Sequence, residues 1–198
     1  MKHLSNIPIC SNGLFIYKLD IEEDLTLKFN EEKFNPIEWE ETSSLTSKDL
    51  NVLKKYENLE KEIHKAVDAT IKEILMLKNI NYRIFSSWIT KAEPKTSSDA
   101  HSHANSWLSG IYYPKSDPGF RIKVYNDNPL PFYTPPTEYN IYNSNSWTIC
   151  PEDNYLILFF SRLRHKILPN TSTKDRFSLA FNILPKGEFG EIDSKVIL

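Results

Sequence analysis

The chain has 198 residues, 40 % of them hydrophobic and 13 % aromatic, with 24 basic against 26 acidic side chains and a net charge of −2. A chain of this length suits one domain that buries about 70 % of its unfolded surface. The balanced charge and the lack of a basic run argue against phosphate-driven nucleic-acid binding. Met1–Lys18 lacks the apolar stretch and cleavage site of a secretory leader, and no segment is long and apolar enough for a membrane span.

In chain order, Ile7–Cys10 and Gly13–Lys18 read as a short extended segment and an edge strand, and Asp20–Glu41 as an acidic surface connection. Thr46 and Asp49 form a potential capping box ahead of a helix. From Leu59 the apolar residues Ile63, Ala66, Val67, Ile71, Ile74 and Leu75 recur at steps of three and four, predicting an amphipathic helix that ends near Lys78-Asn79, with His64 at its solvent boundary. Tyr82–Ile89, Phe120–Tyr125, Trp147–Ile149 and Tyr155–Phe160 read as strands, with turns at Pro114–Gly119 and Pro151–Asn154. Asn126–Ser146 carries Pro129, Pro131, Pro135 and Pro136, which removes it from any central strand and makes it a loop of the kind that serves as a lid or substrate-binding segment. Short strands between turns, with one helical layer, predict a mainly β protein of the double-stranded β-helix (jelly-roll, cupin-like) class. The single domain divides into an N-terminal strand and helical layer over 1–80, a jelly-roll core over 81–184 and a tail over 185–198. Cys10 and Cys150 lack C-x-x-C spacing and read as reduced thiols, which suits a cytoplasmic protein.

The chemistry concentrates in two stretches. The first is His101-Ser102-His103, followed by Ser109-Gly110-Ile111-Tyr112-Tyr113; on a strand the two imidazoles project from one face. The second is an apolar run, Leu156–Phe160, that leads to His165, then Pro169-Asn170 and Arg176-Phe177-Ser178-Leu179-Ala180-Phe181-Asn182. Neutral imidazoles that converge leave open positions on a divalent metal. A buried guanidinium grips a carboxylate through two charge-assisted bonds in a fixed fork.

In order and spacing these pieces resemble the iron(II)- and 2-oxoglutarate-dependent oxygenases, in particular a family of small 2OG-Fe(II) oxygenases of bacteria and phages with an H-x-H, S-G-x-Y-Y, H, P-N, R-x-S-x-x-F-N pattern. The resemblance covers roughly residues 84 to 184. It implies Fe(II), 2-oxoglutarate and O2 as the reacting group, with His101 and His165 as metal ligands. Arg176 and Ser178, with Tyr113, would hold the distal carboxylate of 2-oxoglutarate, while Tyr112 faces the opposite, hydrophobic side. His103 stands where the wider superfamily has a carboxylate, so it competes for the third ligand position with Asp99, which would share its direction on a continuous strand, and with Asp127. Asn105 and Ser109 lie close enough to orient the ligands. The implied reaction is hydroxylation of an unidentified small-molecule or peptidyl substrate with release of succinate and CO2. A cupin-like metalloenzyme that does not use 2-oxoglutarate and a non-catalytic jelly-roll binding module are the alternatives.

Overall fold

The run Arg176–Asn182 is buried at every position, as expected of a central strand covered on both faces. The computed structural model describes residues 5, 12–37, 44–78, 80–126 and 135–198. Ile7–Cys10, Asp127, Pro129 and Pro131 lie outside the described residues. The chain runs through β1 (Leu14–Lys18), α1 (Thr26–Asn30), β2 (Phe34–Pro36), β3 (Leu45–Ser47), α2 (Glu57–Ala69), β4 (Asn81–Ala92), β5 (Leu108–Tyr113), β6 (Ile122–Tyr125), β7 (Ser146–Ile149), β8 (Tyr155–Phe160), β9 (His165–Ile167), β10 (Arg176–Lys186), β11 (Glu188–Phe189) and β12 (Val196–Ile197). Seven strands form an antiparallel sheet in the order β1-β8-β5-β10-β4-β3-β2, and three form a second, β7-β6-β9. Strands β11 and β12 make a separate hairpin in the C-terminal tail.

Alternation along β10 builds two cores. Phe177, Leu179, Phe181 and Ile183 face α2 and meet its buried stripe of Leu59, Ile63, Ala66 and Val67. Ala180 faces the other way, into a core shared by Ile111, Tyr113, Ile157 and Phe159 of the large sheet and Ile122, Val124 and Ile167 of the small one. Arg176, Ser178 and Asn182 share that second face by the period of two. Gly110 lets β5 pass under Phe181: a Cβ there would stand 2.3 Å from the ring.

Several local expectations are corrected. Asp20–Glu41 is more than a surface connection, because Ile21, Leu25 and Phe29 are buried and α1 and β2 form within it. Thr46 sits in β3 rather than at a helix cap, and the Asp49 carboxylate accepts from the Asn51 backbone N–H in a local turn. The amphipathic helix loosens after Ala69 into a π turn over Thr70–Ile74, where the Thr70 hydroxyl bonds back to the Ala66 carbonyl and takes the Tyr17 hydroxyl as partner. The wider turn rotates Ile74 to 51 % exposure, off the predicted stripe. His64 is half-buried and its Nδ1 lies 2.8 Å from the Tyr82 hydroxyl. Among the described residues, no helix is long and apolar enough to cross a membrane.

Candidate metal and anion site

The histidine pair lies on no continuous strand. His101 makes a single antiparallel bridge with His165, its N–H and carbonyl exchanging 2.9 Å bonds with that residue, and a turn follows at Ala104-Asn105. The His103 N–H donates to the Ser161 carbonyl at 2.9 Å. These bonds tie both histidines to the chain that leaves β8 and enters β9. The three imidazoles converge, each offering one nitrogen within 4.8 Å of the others, and among the described residues they form the cluster of potential metal ligands.

Ring orientation is set by the backbone. His101 Nδ1 lies 2.8 Å from the Asp99 carbonyl and His165 Nδ1 lies 3.0 Å from the Leu163 carbonyl. Because a carbonyl only accepts, each Nδ1 carries the proton and Nε2 keeps its lone pair for a metal. His103 packs against Trp88 and Phe159, and His165 against Phe159. Burial, with repulsion from His165 and His101, pushes the His103 pKa down to about 3. Burial, with repulsion from His101, takes His165 down to about 4, opposed by its bond to the Leu163 carbonyl. The rings of His103 and His165 are therefore neutral at physiological pH, as ligation requires.

Arg176 is 1 % exposed, and its Nε has no partner. Its sequence neighbour Asp175 pairs instead with Lys91, and Asp153 with Lys115. Tyr113 is also buried, its hydroxyl unpartnered and its pKa pushed up to about 12 by burial against the pull of the nearby Arg176 cation. The pairing of Leu179 with Tyr112 sets Ser178 beside Tyr113 on the same face. Tyr112 points the opposite way and donates to Asn154 Oδ1 at 2.7 Å. A cation and a phenol buried without partners on one face, beyond a cluster of imidazoles, suit a metal together with an anionic oxygen ligand.

The remaining expectations divide. Asp99 is exposed and meets the site through its backbone carbonyl, so it is not part of the imidazole cluster. Asn105 is exposed at a left-handed turn, φ 57°. Ser109 is buried in a hydrogen-bonded chain that runs from Ser106 through Ser161 and Ser109 to Asn182, and this chain braces the carbonyl that holds His103. Trp147 escaped the sequence reading: β7 pairs it with Val124, and β6 pairs Val124 with His165, so the three form one row across the small sheet on the face of the site. Trp147 is 39 % exposed. Only the register across the long β6–β7 connection reveals this row.

Residues 86–182 match the profile of the family described as "Putative 2OG-Fe(II) oxygenase". Among solved structures the chain is similar to a prolyl-4-hydroxylase from Pseudomonas putida, at 14 % identity and TM-score 0.57, over 89 % of this chain and 95 % of that one. It is similar to a prolyl hydroxylase from Trichoplax adhaerens in complex with a hypoxia inducible factor oxygen degradation domain peptide, at 14 % identity and TM-score 0.58, over 88 % of this chain and 84 % of the other. It is also similar to HygX from Streptomyces hygroscopicus with nickel and 2-oxoglutarate bound, at 8 % identity and TM-score 0.60, over 87 % and 82 % of the two chains. No curated relative matches the sequence. At these identities the structures show the fold, a double-stranded β-helix.

Proposed function

Since residues 86–182 belong to the 2OG-Fe(II) oxygenase family, whose members use iron(II), 2-oxoglutarate and O2, we propose that His101, His103 and His165 hold the iron and that Arg176, with Tyr113 and Ser178, holds the distal carboxylate of 2-oxoglutarate. The observation that carries the assignment is the buried guanidinium whose Nε lacks a partner, on the strand face that opens towards three converging imidazoles. With iron(II) and 2-oxoglutarate bound, the chemistry supplied is activation of O2, in which 2-oxoglutarate is cleaved to succinate and CO2 and the second oxygen atom is inserted into a C–H bond of the substrate.

The chain's own residues do the positioning. The carbonyls of Asp99 and Leu163 hold two imidazoles in the tautomer that presents Nε2. The Ser106–Ser161–Ser109–Asn182 chain fixes the backbone that places His103. Phe159 and Trp88 keep water from the back of the imidazoles, which strengthens electrostatic contacts within the site. Tyr113, protonated across the physiological range, donates to an anion and does not compete with it. Trp147 supplies the apolar surface on which a substrate rests while its C–H faces the open side. We place the reaction in the cytoplasm, in keeping with the exposed free thiol of Cys150.

The test is an anaerobic titration of metal-free protein with iron(II) and then 2-oxoglutarate, following the weak visible charge-transfer band of a chelated keto acid. A saturable band is expected. Tight iron binding without any band refutes the 2-oxoglutarate assignment and favours a metalloenzyme of another chemistry.

A further inference from the structure

The three-stranded sheet has a second face, directed away from the site, and its composition is one-sided. Ser146, Tyr125 and Arg164 form one row across it and Thr148, Lys123 and Lys166 the next, with Arg121 one alternation further along β6. Four of these seven positions are cationic and none is acidic, in a chain whose net charge is −2. Among the described residues, seven other lysines make ion pairs, whereas Arg121, Lys123, Arg164 and Lys166 make none. Lys123 and Lys166 stand directly opposite each other in an antiparallel pair, an arrangement that destabilises a sheet. The buried Nε of Arg121 has no partner. A local rule broken this consistently marks a face shaped for something outside the chain.

We propose that this face docks an acidic polypeptide segment, and that the oxygenase acts on a protein that carries such a segment beside the oxidised residue. Three strands span only about 10 Å between the outer pair, the width of one extended peptide and its side chains. The Tyr125 ring has Lys123 Nζ at 5.6 Å and Arg164 Cζ at 5.2 Å from its centroid, which gathers both cations about one side chain. Arg164 immediately precedes His165, whose side chain points through the sheet into the site. Such a patch contributes steering and orientation more than tight binding.

This inference rests on the oxygenase reading only for what happens to the bound protein; docking is read by binding alone, so failure of either shows separately. Fluorescence anisotropy of labelled octaglutamate at low ionic strength is the measurement, with an oligothymidylate of equal charge as comparator. Saturable binding to the wild type is expected. Lys123→Gln/Lys166→Gln should weaken it by about tenfold, the factor that corresponds to two exposed ion pairs, and Lys123→Glu/Lys166→Glu should weaken it further. Lys61→Glu/Lys65→Glu on α2 gives the same net charge as that reversal and should leave binding within about twofold. No binding to the wild type, equal losses from the α2 reversal, or tighter binding of the oligothymidylate would each overturn the proposal. If the glutamate pair proves unfolded by circular dichroism, the glutamine pair carries the test.

Discussion

Replacing Arg176 by Met should separate two effects that usually move together. The guanidinium is 1 % exposed with its Nε unpartnered, so the unliganded protein carries the cost of a lone buried cation. Burial lowers its pKa, which is the same penalty seen as protonation. Exchanging buried charge for an apolar side chain of similar volume is neutral or stabilising by about 1–4 kcal/mol, and about 1 kcal/mol moves the melting temperature of a domain this size by roughly 2–4 °C. Arg176→Met should therefore melt at or above the wild type when free of metal and cosubstrate. Its 2-oxoglutarate affinity should fall steeply, because two charge-assisted bonds of about 1.5–3 kcal/mol each correspond to a factor of roughly 10²–10⁴ in Kd. Thermal melts with manganese(II) as a redox-silent stand-in, with and without 2-oxoglutarate, report both quantities at once. A variant that melts well below the wild type yet keeps the full 2-oxoglutarate-dependent shift would refute the assigned role and make Arg176 a structural cation.

His103→Ala should reduce iron stoichiometry after dialysis and abolish the keto-acid band while leaving far-UV circular dichroism unchanged; an intact band would move the third ligand position elsewhere. The metal-free protein should lose stability on acidification. His103 and His165 have folded pKa values of about 3 and 4, below their ordinary 6.5, so the unfolded state binds more protons as pH drops below about 6.5. With up to two protons in play the slope approaches about 3 kcal/mol per pH unit between pH 6 and 4, flattens below the folded values and vanishes above pH 7. Urea melts across that range check it, and a flat profile contradicts neutral His103 and His165 rings in the folded protein. Gly110→Ala places a methyl group 2.3 Å from the Phe181 ring and 2.7 Å from Leu158. It should cost about 1–3 kcal/mol of stability by overpacking, read as a lower melting temperature.

The sequence made the strands of the core legible because β5, β8 and β10 carry uninterrupted apolar or alternating runs with turn residues between them. The three histidines that the structure clusters were singled out by spacing and resemblance. Less legible was how His101 and His103 reach the metal. The alternation rule presumes a strand, whereas the structure uses one bridge to His165 and a bond from His103 N–H to Ser161, and such long-range backbone pairings leave no local mark. Asp99 shows the cost of that assumption, since on a continuous strand its carboxylate would have joined the cluster. The π turn after Ala69 was hidden for a similar reason: Thr70 fits a helical pattern, and the Tyr17 hydroxyl that partners it comes from a strand more than fifty residues away.

The residues that define the site also weigh on the fold before anything binds. Three imidazoles with no carboxylate among them are held close enough to repel one another when protonated, and a guanidinium and a phenol are buried with unpartnered polar atoms. Neither arrangement is favoured by folding alone. A divalent cation would relieve the first and a dicarboxylate the second, and whatever factor one adds to the other's affinity must be returned equally. The small sheet follows the same logic on its outer surface, where Lys123 opposes Lys166 with no acidic neighbour in its rows. Arg164 immediately precedes β9 and its guanidinium lies over Tyr125 on the outer face, while His165 opens β9 on the inner face, so one short stretch of backbone carries both the proposed docking surface and the proposed metal site.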